Sequence, residues 1–130
     1  MQNWIKAICL WSLVILPVSV AADGATGVWR SQPTEQGHIE ITIQPCGATL
    51  CGVITRAINT QGQAGDFAHL GRRMIWDMSP DGQNRWSGGK IWDPIKDKTY
   101  SSKLELKGSA LHVSGCVLGF CQARIWQRVR

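Results

Sequence analysis

The chain carries little of what an enzyme, a metalloprotein or a nucleic-acid binder needs. Its three histidines, His38, His69 and His112, share no close spacing, so they offer no metal a ready set of ligands. No Gly-x-Ser-x-Gly elbow, phosphate-binding loop or His-Glu-x-x-His pair occurs, and nothing calls for a cofactor. Charged residues make up only 18% of the chain. Basic side chains cluster only at Arg72-Arg73 and at Lys96/Lys98, whereas a nucleic-acid binder concentrates them on one element. No stretch requires a helix of ordinary length. These absences leave a small non-enzymatic β protein as the reading to develop.

The long apolar run lies at the start. Lys6 supplies a positive charge, Ala7 to Val20 is apolar except where Ser12, Pro17 and Ser19 break it, and Val20-Ala21-Ala22 puts small residues ahead of Asp23. That is the pattern of a secretory signal, here residues 1–22. The run is shorter than the roughly 20 residues that span a bilayer, so no stable membrane insertion is expected once it is removed. Cleavage after Ala22 leaves one domain, 23–130, in the periplasm or outside the cell. Loss of Lys6 lowers the net charge from +5 to +4.

That domain reads as eight short strands. Gly27 to Arg30 is the first. In His38 to Gln44, Ile39, Ile41 and Ile43 alternate with His38, Glu40, Thr42 and Gln44, the period of two that buries one face of a strand and leaves the other in water. Leu50 to Ile58 follows, then an irregular segment, Asn59 to Arg72, with a short helical turn expected around Phe67 to Leu70. Met74 to Met78, Arg85 to Ile91, Thr99 to Leu106, Leu111 to Gly115 and Cys121 to Val129 complete the set, separated by Gly, Pro and Asp turns. Successive antiparallel strands with tight connections describe an eight-stranded up-and-down barrel, a closure that leaves no sheet edge exposed.

In such a barrel alternate turns share a rim. The four cysteines left after cleavage form two equally spaced pairs, Cys46/Cys51 and Cys116/Cys121, which fall at opposite ends. Strands of about seven residues separate the ends by roughly 23 Å, far beyond the ~7 Å within which a disulfide closes. Each pair is therefore expected to bridge its own hairpin, Cys46 to Cys51 and Cys116 to Cys121. Opposite rims also part Asp77 from Asp93, the carboxylates best suited to paired acid–base chemistry. They are expected at strand ends, holding backbone N–H groups. No catalytic residue and no metal site is expected.

Gly27-x-Trp29 on the first strand and Arg128 on the last resemble the signature of lipocalin-type barrels, in which the arginine packs over the indole and closes one end. A wider resemblance covers most of 23–130. Gly27-Val28-Trp29-Arg30, Cys46-Gly47-x-x-Leu50-Cys51-Gly52-x-Ile54, Trp86-x-Gly88-Gly89-Lys90-Ile91-x-Asp93-Pro94, Lys98-Thr99-Tyr100 and Gly115-Cys116-x-Leu118-Gly119 through Trp126-x-Arg128-Val129 are similar to the small exported bacterial proteins grouped as domain of unknown function 2147. The resemblance implies a lipocalin-like β-barrel and carries over no catalytic residue.

Function is then a question about the second rim, where the connections Ser31 to Gly37, Asn59 to Arg72, Trp92 to Lys98 and Val117 to Phe120 are expected to meet. It gathers Phe67, His69, Trp92 and Phe120 around the long loop, with Tyr100 below, and aromatic-lined concavities suit small apolar or amphipathic ligands. A monomer holding such a ligand in the barrel mouth is the first expectation. The alternative is a protein-binding module, such as an inhibitor of a secreted hydrolase, presenting Trp92-Asp93-Pro94-Ile95 as its loop.

Overall fold

The computed structural model describes residues 9–15 and 24–130; the expected cleavage point after Ala22 lies outside the described residues. All regular structure among them is β: β1 (Gly27–Arg30), β2 (His38–Cys46), β3 (Thr49–Ile58), β4 (Ala64–Gly65), β5 (Arg73–Pro80), β6 (Arg85–Asp93), β7 (Lys98–Lys107), β8 (Ala110–Val117) and β9 (Phe120–Arg128). Every pairing is antiparallel, and the order β1, β2, β3, β5, β6, β7, β8, β9 returns to β1. This is the expected eight-stranded lipocalin-like barrel.

The two-residue β4 is an addition within the long loop, pairing with the end of β3 at Ala57 and Ile58. The helical turn expected nearby is a tight turn instead, with Leu70 N–H donating to the Phe67 carbonyl at 3.2 Å. Asp77 does not end a strand. It sits inside β5 with a positive φ of 58°, where the ladder with β6 skips from Trp76↔Lys90 to Ser79↔Ser87.

Period-two alternation builds the core. Trp29, Ile41, Ile43, Leu50, Ile54, Ile75, Met78, Leu104, Leu111 and Val113 are sealed from solvent and join Trp86 and Trp126 in one cluster. Burying side chains of this kind contributes about 1.5–3 kcal/mol each before ordering costs. Alternation fails at Glu40, expected in water but buried. The β2–β3 ladder slips between Glu40 and Ile41, which face Arg56 and Ile54 and leave Thr55 as an extra residue. The slip brings Arg56 to Glu40, Nη1 to Oε2 at 3.4 Å, so the burial comes with an ionic partner.

Where the wall turns tightly it needs glycine. At Gly89, opposite Ser102, an added Cβ would stand 2.5 Å from the Trp76 carbonyl and 2.6 Å from Met78 Sδ. Main chain and core both crowd that point. Gly37 is held at φ 113°, and a Cβ there would run into the Ile58 carbonyl.

Both disulfides close locally, Cys46–Cys51 and Cys116–Cys121, with Cα separations of 5.8 and 4.0 Å. Cys116 and Cys121 are direct cross-strand partners.

Two outcomes follow for stability. Gly89→Ala should lose about 1–3 kcal/mol in urea unfolding through overpacking, whereas Gly65→Ala, with open space around it, should stay within about 0.5 kcal/mol. Replacing either cysteine pair by serines should cost roughly 2 kcal/mol, the loop entropy of a bridge between residues five apart, read as a lowered Tm with the β signature in far-UV circular dichroism retained.

Candidate functional site

The aromatic residues of the second rim form two groups. Phe67, His69 and Trp92 pack edge to face, with ring centroids 5.1 Å apart for Phe67–His69 and 4.9 Å for His69–Trp92. Trp92 is buried, its indole N–H donates to Asp97 Oδ1 at 2.8 Å, and the Arg72 guanidinium lies 3.4 Å above its ring. Arg72 also approaches Asp97 at 3.9 Å. The indole thus has its polar edge satisfied and its face covered. Its strand register puts it opposite Thr99, one residue out of phase with Ile91↔Tyr100, so the Trp92 cluster and Tyr100 do not share a strand face. Asp93 ends β6 as expected, its Oδ1 accepting the N–H groups of Ile95 (2.8 Å) and Lys96 (3.2 Å).

Phe120 does not join the cluster; it begins β9 in the phase of Gln122, at the rim. It stands 84% exposed beside Leu118, 94% exposed, on the β8–β9 turn. Tyr100 faces inward, since it keeps phase with Leu104 along an unbroken β7–β8 ladder, and is half-buried. Next to it lies Gly115, whose added Cβ would be 3.7 Å from Tyr100 Cβ and 3.9 Å from Ile91 Cγ2.

The accessible part of the interior wall is β9. Trp126 is buried, so Arg124 and Gln122, two and four residues before it, keep its inward phase; their cross-strand partners are Val113 and Gly115. Val113 is sealed, yet Arg124 and Gln122 are exposed, as is every other β9 residue from Phe120 to Ile125. The cause lies in β1, which meets β9 only at Trp29↔Arg128 and Arg30↔Gln127. β1 ends at Arg30, and the chain after it turns through the Thr34–Gly37 bridge instead of continuing along β9. Gln32 makes the last contact, its Oε1 accepting Ile125 N–H at 3.4 Å. Beyond it, among the described residues, no strand covers that side of β9.

Beside this opening the interior turns polar and small. Gly89, Ser102 and Gly115 are successive partners across β6, β7 and β8. Ser102 is 5% exposed, and its Oγ is buried without a protein hydrogen-bond partner. A hollow of about 640 Å³ lies at β6–β8, lined by Lys90, Lys98, Thr99, Tyr100, Ser101 and neighbours; it is open to solvent and would enclose little of a ligand. Among the described residues no three His, Cys, Asp or Glu side chains converge on a common point.

At the other end Arg128 closes the barrel, its guanidinium 4.3 Å from the Trp29 ring centroid. It donates to the Thr26 carbonyl at 3.1 Å and to that of Gly24. Gly27 lies against this group, since a Cβ there would come within 2.8 Å of Arg128 Nη1.

Solved structures include one with the same architecture: a protein of the human pathogen Helicobacter pylori, described as belonging to the lipocalin family, superposes with a TM-score of 0.64 over 81% of this chain and 82% of its own, at 13% identity. At that identity the likeness concerns the fold alone. Among curated proteins none is similar in sequence. A family model described as an uncharacterized protein conserved in bacteria matches residues 27–128, from the glycine of β1 to the arginine that closes the barrel, and the chain belongs to that family, DUF2147.

Proposed function

We propose that this protein is an exported, non-enzymatic binding protein that holds a small amphipathic ligand against the inner face of β9. The supporting observation is the exposure of Arg124 and Gln122 on a strand face whose next inward residue, Trp126, is sealed. An apolar tail would lie over Tyr100 and Gly115, and an anionic head would meet the Arg124 guanidinium, which offers forked donors to a carboxylate or phosphate. The buried Ser102 hydroxyl, lacking a protein partner, supplies a further polar contact. Export fits the two disulfides, which persist in oxidising compartments, and the leader pattern of residues 1–22.

Of the rim aromatics, Tyr100 belongs to this site. Phe67, His69 and Trp92 support the rim beside it: Trp92 is part of the buried core with Phe67 packed against it, and its polar edge and ring face are taken by Asp97 and Arg72. The protein-binding alternative rests on the Asp93 turn. Its backbone is fixed by two hydrogen bonds and it presents Ile95 at 73% exposure.

Titration with oleate should shift the emission of Trp126, which sits directly behind Arg124 on the same strand face, and oleyl alcohol should do so more weakly. Arg124→Ala should weaken oleate binding by about ten- to a hundredfold, the loss of one charge-assisted contact, without altering the circular dichroism of so exposed a position. Emission unchanged across fatty acids, fatty alcohols and lysophospholipids would remove the ligand reading and favour the Ile95 turn.

A further inference from the structure

Beyond Gln32 the outer half of β9 is an open sheet edge. From Cys121 to Ile125 its main chain has β8 on one side and, among the described residues, no strand on the other. Alternate residues of an antiparallel strand direct their N–H and C=O groups to the same side. Ile125 N–H points to Gln32, toward β1, so Ala123 and Cys121 present theirs along the same free edge. Open edges template pairing with another strand, and proteins usually blunt them. This one has no proline or lysine, and exposed Val117, Leu118, Phe120 and Ile125 border it.

We propose that this edge pairs with the same edge of a second copy, antiparallel, about a two-fold axis through Ala123. The case for a second copy is complementarity. The segment Phe120-Cys121-Gln122-Ala123-Arg124-Ile125-Trp126 is patterned almost symmetrically about its centre. Reversed against itself, Ala123 meets Ala123 and Ile125 meets the bridged Cys121, an apolar strip on the outer face. On the inner face Arg124 meets Gln122, whose amide oxygen accepts from a guanidinium. Moving the axis to residue 124 would set Arg124 against Arg124, a like-charge pair that cross-strand packing disfavours; moving it to residue 122 would leave Ile125 without a strand partner. Charge and ladder length therefore favour one register.

The free groups of Cys121, Ala123 and Ile125 then find partners, and Gln32 exchanges its long contact with Ile125 for one with solvent. The pair is isologous and closed, because each edge is used once. It does not depend on ligand binding. Arginine has five N–H donors, so Arg124 can serve a ligand and Gln122 of the second copy together.

Sedimentation velocity across a range from low micromolar to millimolar protein tests the pairing. The expected result is a reversible monomer–dimer equilibrium that Ala123→Lys weakens roughly tenfold or more, since two ammonium groups would face each other across the axis. Ala123→Pro should also abolish pairing: it removes an edge donor that makes no bond to β8, a place where strands accept proline. Circular dichroism of both variants should match the parent. Hydrogen exchange at Cys121, Ala123 and Ile125 should slow as concentration rises, while Gln122 and Arg124, bonded toward β8, stay unchanged. A monomer at every concentration, a dimer indifferent to both substitutions, or protection of this edge only when an extended peptide is added would each overturn the proposal.

Discussion

The packing of Arg128 over Trp29 is where the ends of the chain are joined. Trp29 is fully buried, its indole N–H donates to the Ala25 carbonyl at 2.8 Å, and Arg128 covers its ring while holding the Gly24 and Thr26 carbonyls. Around it Val28 N–H donates to the Arg130 carbonyl at 2.6 Å and Val129 N–H to the Val28 carbonyl at 2.8 Å. An exposed cation–π contact is worth only about 0.5–1 kcal/mol. Its importance here is positional: without this seam the first and last strands would be two long unpaired edges, and the core they enclose would lie open.

The seam also limits how much of the barrel can close. β1 runs four residues and β9 nine, so a joint made at one end of β9 cannot reach the other. Below it the inward residues pack into a continuous cluster containing Trp29, Trp86 and Trp126. Above it the same inward phase carries Arg124 and Gln122 into solvent. One short strand therefore leaves the inward face of β9 uncovered at Gln122 and Arg124, while Trp92 and Ile58 toward the same rim stay buried. A full-length β1 would pair β9 along its whole length.

Much of this architecture was legible from local pattern. The alternation of Ile39, Ile41 and Ile43, the spacing of the cysteines and the turn residues between strands each reflect a constraint within a few residues of chain. Burial of Glu40 was not legible, because it depends on a slip against Arg56 on another strand. Nor was the sealing of Trp92, which depends on Arg72 and Asp97 arriving from two different loops. Gathering Phe67, His69 and Trp92 on one rim was sound as topology, but sharing a rim says nothing about sharing a strand face. The signal for Arg124 was present and easily passed over. A charged residue in phase with a buried tryptophan marks a wall that must open to water, because burying an unpaired guanidinium would be too costly.

The second disulfide gains meaning in this setting. A hairpin whose outer strand lacks a neighbour would ordinarily fray, and a frayed strand offers neither a binding wall nor an edge for pairing. Cys116 and Cys121 face each other directly across β8 and β9, just behind the exposed turn, so the bridge holds register where ladder pairing on the other side is absent. It thereby keeps Gln122 and Arg124 in inward phase before anything binds, reducing the ordering cost that binding would otherwise carry. The first bridge, Cys46–Cys51, ties β2 beyond its last β1 partner, Ile43, to β3, which is itself held by β5 at Leu50 and Gly52. Local thiol pairing, which looks redundant in a closed barrel, is what allows this one to remain partly open.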